Sequence, residues 1–269
     1  MDNIRLLQVV PSLNSGGVEQ GTLDIAKAIS ESGNFSSVVS NGGRMVNLFK
    51  KHGSKHFSIG VNSKNPYVMY NNISRLRKIL IQEKINIMHT RSRAPAWSSF
   101  YAGKNKVKLV STFHNIYGHE NKFKRIYNSG LAKMDRIIAI SNFVKNKIIE
   151  LYNIPQEKIT VIYRGIDDKI FNLDQINETL LNDFIKKHNI INDRKIILFP
   201  GRLTAWKGQI EFIKVLKKLK YKDFFCYFAG EDNNINFTKR LSREINNSGL
   251  SENCKILGHV ENIKYFYKL

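Results

Sequence analysis

Arg202 and Lys207 stand in the stretch Pro200-Gly201-Arg202-Leu203-Thr204-Ala205-Trp206-Lys207-Gly208. A guanidinium offers a planar fork for phosphate oxygens, and an ammonium offers a mobile point charge. Beside a helix N-terminus, the two would neutralise a diphosphate leaving group. By itself, an Arg and a Lys at this spacing is also the pattern of a solvated surface pair. The turn Pro11-Ser12-Leu13-Asn14-Ser15-Gly16-Gly17 is a second candidate. Its small residues let backbone N–H groups approach a phosphate or sugar, and they equally suit a tight structural turn. The turn does not read G-x-G-x-x-G. The next strand ends in Ser40-Asn41, without the acid that would hold an adenosine ribose, which disfavours an NAD dehydrogenase. Arg44 leaves NADP formally open. His114 closes Thr112-Phe113-His114 at a strand end, as either a catalytic or a satisfied structural histidine.

Short Val- and Ile-rich runs alternate with helical patterns, and these must position the candidates. Strands are expected over 4–10, 35–40, 56–59, 85–89, 106–113, 136–140 and 159–163, with helices over 18–32 and 67–84 among them. The rhythm pauses near 165–170. It restarts with a helix over 175–188, a strand over 195–200, a helix over 207–220, a strand over 224–230, a helix over 236–247 and a strand over 254–258. Such alternation gives α/β units on parallel sheets covered on both faces. The first glycine turn and the Arg202–Lys207 stretch both fall at strand-to-helix junctions, where ligands bind in such folds.

The chain of 269 residues carries 43 Lys/Arg against 22 Asp/Glu, a net charge of +21. Residues 1–165 hold 25 of the cations and 9 of the acids, so the excess is concentrated there. That field favours anionic partners, although a general Lys and Asn bias accounts for it equally well. Lys122-Phe123-Lys124-Arg125-Ile126-Tyr127 interleaves bases with aromatics on an expected helix. Such a helix docks at an anionic membrane face or is a solvated charged face. No nucleic-acid reading motif accompanies the charge, which disfavours nucleic acid. Cys226 and Cys254 lie in no metal-binding cluster and fall in expected buried strands, so no metal is expected. No apolar run approaches the roughly 18 residues of a membrane span. Met1-Asp2-Asn3-Ile4-Arg5 leads straight into a strand without a signal peptide. A cytoplasmic protein, peripheral at most on the inner face of the membrane, is the expectation.

Gly201-Arg202-Leu203-x-x-Trp206-Lys207-Gly208 resembles the donor motif of glycosyltransferase family 4. Further segments agree in order: Gly16-Gly17-Val18-Glu19, Ser63-Lys64-Asn65-Pro66, Arg91-Ser92-Arg93-Ala94-Pro95-Ala96-Trp97, Thr112-Phe113-His114, Ile140-Ser141 and Val161-Ile162-Tyr163-Arg164-Gly165-Ile166-Asp167. The ordered set is most similar to the subgroup that builds lipopolysaccharide and other bacterial surface polysaccharides.

The resemblance implies a retaining transferase of the GT-B type, with two Rossmann-like parallel-sheet domains facing a cleft. Residues 1–167 would bind the acceptor and residues 168–269 a nucleotide-diphosphate sugar, with no cofactor. By that resemblance Arg202, Lys207, Gly16 and Gly17 contact the donor diphosphate. His114 lines the cleft at the transferred sugar, and Gly258 and His259 pass the nucleotide base. Arg91, Arg93 and Trp97 form the acceptor side, while Lys122, Phe123, Lys124 and Arg125 are the membrane contact. The acceptor would be a glycan or a lipid-linked sugar. The family's next element carries an acidic pair spaced E-x7-E, and here the sequence ends first, at Phe266-Tyr267-Lys268-Leu269. Glu231, at the end of the preceding strand, is not assigned to that pair. The second domain is therefore expected to be incomplete. Alternatives are an inactive or split enzyme with a complementary C-terminal chain, or a basic membrane- or nucleic-acid-binding module.

Overall fold

The computed structural model describes residues 3–14, 16–118, 120–221, 223–232 and 235–269. Met1 and Asp2 of the opening segment and Ser15 of the first glycine turn lie outside the described residues. The chain divides into two compact units, Met1–Gly165 and Ile166–Leu269.

In the first unit the elements are β1 (Arg5–Val9), α1 (Gly17–Glu31), β2 (Phe35–Ser40), α2 (Val46–Lys51), β3 (Lys55–Ser58), α3 (Pro66–Gln82) and β4 (Ile87–Thr90). They continue as α4 (Arg93–Gly103), β5 (Lys108–Phe113), α5 (Lys122–Asn128), β6 (Arg136–Ala139), α6 (Asn142–Tyr152) and β7 (Ile159–Val161). All seven strands run parallel in the order β3-β2-β1-β4-β5-β6-β7. Neighbouring residues of a strand point to opposite faces. Val38 packs with Leu13, Leu23 and Phe49 under α1, while Val39 packs with Leu76, Met88 and Leu109 on the other face. Burial on both faces explains the near-continuous apolar runs in the sequence. The strand order reverses between β1 and β4, and this switch point is where ligands enter doubly wound sheets.

The second unit contains α7 (Glu178–His188), β8 (Lys195–Pro200), α8 (Gln209–Lys218), β9 (Phe224–Ala229), α9 (Ile235–Asn247), β10 (Cys254–Gly258) and α10 (Lys264–Lys268). Its described strands form one parallel sheet, ordered β10-β9-β8. The central strand β9 divides its side chains between two cores. Phe224, Cys226 and Phe228 pack with Ile213, Leu216 and Leu241 of α8 and α9. Phe225 and Tyr227 pack with Phe184 of α7 and Phe266 of α10. Cys226 and Cys254 are both buried, and they pair in register across β9 and β10.

Two helices start later than the sequence expectation. The helix expected over 207–220 begins at Gln209, because Gly208 takes a left-handed φ of 84° and Ala205–Lys207 closes a separate 3-10 turn. The helix expected from 175 begins at Glu178, capped by the Asn177 side chain on the Leu180 N–H, after a 3-10 turn at Leu173–Gln175. Helix α4 begins within the Arg91–Trp97 segment, at Arg93, with Pro95 inside its first turn, where a missing N–H costs little.

Candidate active site

At the switch point of the first unit, β1 runs into the glycine turn and β4 runs into Arg91. The Arg91 N–H donates to the Val9 carbonyl at 3.0 Å, which carries the β1–β4 ladder one residue beyond the strands. The Arg91 side chain is only 4% exposed. Its deepest polar neighbour is Gln8, which is itself fully buried on β1. The Gln8 amide donates to the Thr22 carbonyl of α1 at 2.9 Å, and its oxygen accepts from Arg91 at 3.4 Å.

His114 follows β5. Arg164, three residues beyond β7, donates to its Nδ1 at 2.6 Å and also to the Gly17 carbonyl. A guanidinium only donates. Nδ1 is therefore the acceptor, and the ring hydrogen resides on Nε2. Burial, then Arg91 and Arg164, push the His114 pKa down to about 3. The ring is neutral at physiological pH. Burial and Arg164 in turn lower Arg91 to about 10, against an opposing pull from Asp24. His89, on β4, is neutral for the same reasons, burial first and then Arg91 and His114, and it bonds the Thr112 hydroxyl at 2.7 Å.

Arg91, Thr112, His114 and Arg164 line a cavity of about 210 Å³ together with Gly21 and Asp24. Glycine leaves that space open. A Cβ on Gly21 would sit 3.0 Å from a terminal nitrogen of both Arg91 and Arg164. Gly16, at φ 141°, starts α1, and a Cβ there would meet the Glu19 carboxylate at 2.8 Å. Gly17 lies under Arg164. Of the residues expected at the donor or the acceptor, Gly17, Arg91 and His114 are thus gathered at this one place. Arg164 and Gly21 complete it. The sequence reading assigned neither of them a role, although Arg164 lay within a quoted motif just past the last strand of the unit.

Arg93 and Trp97 point elsewhere. The Arg93 guanidinium lies 4.2 Å over the Tyr117 ring and donates to the Asn128 side chain at 3.3 Å. Trp97 stacks on Tyr101 and donates to the Tyr127 carbonyl at 3.0 Å. Arg93 lines a second cavity of about 580 Å³ with Lys64, Ser92, Phe123, Lys124 and Tyr127. An expected acceptor residue and two expected membrane residues therefore share one hollow. Phe123 is 85% exposed. Arg125 is engaged otherwise: it donates twice to the Leu151 carbonyl, at 3.0 and 2.5 Å, and so caps the end of α6.

In the second unit the carboxyl ends of β8, β9 and β10 converge. The Gly201 N–H bonds the Ala229 carbonyl at 2.8 Å, and the Gly230 N–H bonds the Gly258 carbonyl at 2.7 Å. A Cβ on Gly230 would lie 1.9 Å from the Gly201 oxygen, so only glycine permits this approach. Leu203 is fully buried and anchors the loop. Gln209, also fully buried, donates to the Arg202 carbonyl at 2.9 Å. Arg202 and Lys207 are left exposed on either side of Trp206, 6.0 and 4.4 Å from its ring. Gly258, at φ 71°, precedes the exposed His259. Arg202, Lys207, Gly258 and His259 thus share one rim of the second unit.

The parallel α/β units match solved glycosyltransferases of the GT-B class. The chain belongs to glycosyltransferase family 4, whose model matches residues 15–170, and residues 182–269 match the model for glycosyl transferases group 1. A glycosyltransferase from Rickettsia africae is 38% identical and superposes with a TM-score of 0.87, covering 100% of this chain and 71% of that one. HepE of Anabaena, solved with UDP and glucose, is 19% identical with a TM-score of 0.80, over 99% of this chain and 72% of that one. The capsular polysaccharide biosynthesis glycosyltransferase CapH of Staphylococcus aureus is 23% identical over 96% of this chain and 71% of its own length. The chain spans 51% and 35% of the lengths of the first two curated relatives it matches.

Proposed function

We propose that the protein takes part in moving a hexosyl group from a nucleotide-diphosphate sugar to a glycan or lipid-linked acceptor, with retention, in the synthesis of a bacterial surface polysaccharide. The second unit holds the donor and the first unit the acceptor. The observation that carries this reading is the rim where Arg202 and Lys207 stand exposed on a loop pinned by Leu203, Gln209 and the Gly230–Gly201 approach. A pinned loop with two exposed cations is preorganised for two phosphates, because little entropy remains to be lost on binding. HepE supports a nucleotide-sugar donor, since it was solved with UDP and glucose. CapH supports a surface-polysaccharide product, through its capsular role.

In this mechanism the two cations stabilise the charge that develops on the leaving diphosphate. His114, neutral and with its hydrogen on Nε2, faces substrate as a hydrogen-bond donor and does not act as a charged acid. The cavity of Lys64, Arg93 and Phe123 receives the acceptor. The exposed Phe123, with Lys122 and Lys124, rests on an anionic membrane face. Among the described residues no helix is long and apolar enough to cross a membrane.

The test is calorimetric titration of UDP-glucose and of other nucleotide sugars into the protein and its Lys207→Ala variant. Loss of one charge-assisted contact, worth roughly 1.5–3 kcal/mol, corresponds to a fall in affinity of about tenfold or more. Unchanged affinity in the variant overturns the donor assignment.

A further inference from the structure

We infer that Arg91, Arg164 and the Nε2–H of His114 form an oxyanion pocket within the first unit, built to take one phosphate or carboxylate group carried by a sugar substrate. The inference rests on the reading of the chain as a handler of charged sugars, and it adds a second anion site on a different unit from Arg202 and Lys207.

The first argument is charge without a partner. Arg91 is almost wholly buried, and its Nε has no hydrogen-bond partner. Its bond to Gln8, at 3.4 Å, is to a neutral amide. Arg164 spends its donors on a carbonyl and an imidazole, which are also neutral. No ion pair joins either guanidinium to a carboxylate of the described residues. Asp24, which lines the same cavity, acts on both arginines beyond ion-pair distance, and Glu19 acts likewise on Arg164. Buried Arg91 and exposed Arg164 bring two like charges to one cavity with no carboxylate of the described residues at ion-pair distance, and an anion seated between them offsets their repulsion.

The second argument is the type of group on offer. The orphan Nε2 of His114 is buried and carries the ring hydrogen, because Nδ1 accepts from Arg164. The three side chains therefore present only donors. A hydroxyl would leave the charges uncompensated, and a cation would be repelled. An acceptor-only group with a negative charge satisfies all three.

The third argument is size and shape. The cavity of about 210 Å³ is smaller than the roughly 300 Å³ at which sites for whole small ligands begin. It suits one group of a sugar and excludes a complete nucleotide. Gly21 holds the space open, since any side chain there would press on both guanidinium groups.

The group is carried by an acidic acceptor sugar, which the proposed reading assigns to the first unit. The experiment uses the full chain, the Arg202→Ala/Lys207→Ala double variant, Arg164→Gln and Gly21→Ala. The last change favours helix formation in α1, so it keeps the test open should Arg164→Gln fail to fold. Inorganic phosphate, glucuronate and UDP are titrated while the Nε2 nitrogen resonance of His114 is followed, assigned by its loss in His114→Gln. Phosphate or glucuronate is expected to move that resonance, with affinity weakened about tenfold in Arg164→Gln and reduced in Gly21→Ala. A response to phosphate or glucuronate that survives in the double variant is the expected result. A response to UDP alone, abolished in the double variant, overturns the acceptor assignment. The pocket is overturned if none of the three probes moves the resonance at concentrations on the order of 10 mM. It is equally overturned if Arg164→Gln and Gly21→Ala both leave the response unchanged. Failure of Lys207→Ala to weaken UDP-glucose binding would instead overturn the donor assignment and leave the pocket standing.

Discussion

Arg164 donates to Nδ1 of His114 at 2.6 Å across a sequence separation of 50 residues. The contact fixes the tautomer and adds a positive charge that opposes protonation of the ring. Burial and Arg91 act in the same direction, burial most strongly. Removing the Arg164 charge in Arg164→Gln should therefore raise the His114 pKa from about 3. It should stay below 6.5, because burial and Arg91 persist. Titration of the ring resonances by NMR checks this. A pKa that does not rise would mean that Arg164 contributes nothing to the field at His114.

Gly230 is the second point of sensitivity. Its missing side chain lets β9 pass against the Gly201 carbonyl, where an added Cβ would lie 1.9 Å from backbone oxygen. Backbone cannot rotate aside as a side chain does. Gly230→Ala should destabilise the protein by about 3 kcal/mol, in the range of overpacked cores. It should also weaken donor binding, because the displaced loop carries Arg202. Urea denaturation together with UDP-glucose titration separates the two effects. A variant of unchanged stability would refute the close approach.

The alternation of strands and helices was legible because parallel strands covered on both faces leave continuous apolar runs. Val38 and Val39, adjacent yet packed in different cores, are the smallest example. The Arg202–Lys207 loop was legible because it follows such a run directly. The start of α8 was not. Lys207-Gly208-Gln209 reads as continuous helix until Gly208 adopts a left-handed conformation and buried Gln209 turns back to the Arg202 carbonyl. The partnership of Arg164 with His114 leaves no local trace, because it depends on how far β7 lies from β5 across the sheet. Arg125 shows the same limit. Its charge pattern matched its neighbours, yet it is taken up by the Leu151 carbonyl.

Stability should fall with acid in a defined window. His89 and His114 are both held below the ordinary histidine pKa of 6.5, with burial the first cause in each. Above pH 6.5 both are neutral in folded and unfolded chains, and their contribution is full. As pH drops below 6.5 the unfolded chain takes up protons that the folded chain refuses. Each such histidine then lowers stability by about 1.4 kcal/mol per pH unit. Urea midpoints between pH 7 and pH 5 should show this loss before most carboxylates titrate. In His114→Gln, which cannot be protonated, the slope should be shallower by about one proton's worth. An unchanged slope would show that His114 titrates normally in the folded protein.

Phe123 and Arg125 lie two residues apart on α5 and should respond differently to substitution. Phe123 is 85% exposed, so Phe123→Ser should leave the melting temperature nearly unaltered. Combined with Lys122→Ala and Lys124→Ala, it should reduce sedimentation with vesicles rich in phosphatidylglycerol. The loss should be most evident at low salt, where each basic residue near the surface is worth about 1 kcal/mol. Arg125→Ala should do the reverse. The two hydrogen bonds to the Leu151 carbonyl hold the end of α6. Their removal should cost about 1 kcal/mol of stability, with a smaller effect on vesicles. If the triple variant sediments as well as the unaltered protein, α5 is a solvated face and the membrane contact lies elsewhere. If Arg125→Ala alone abolishes sedimentation at unchanged stability, its guanidinium leaves Leu151 for the lipid phosphate, and the cap does not persist on the membrane.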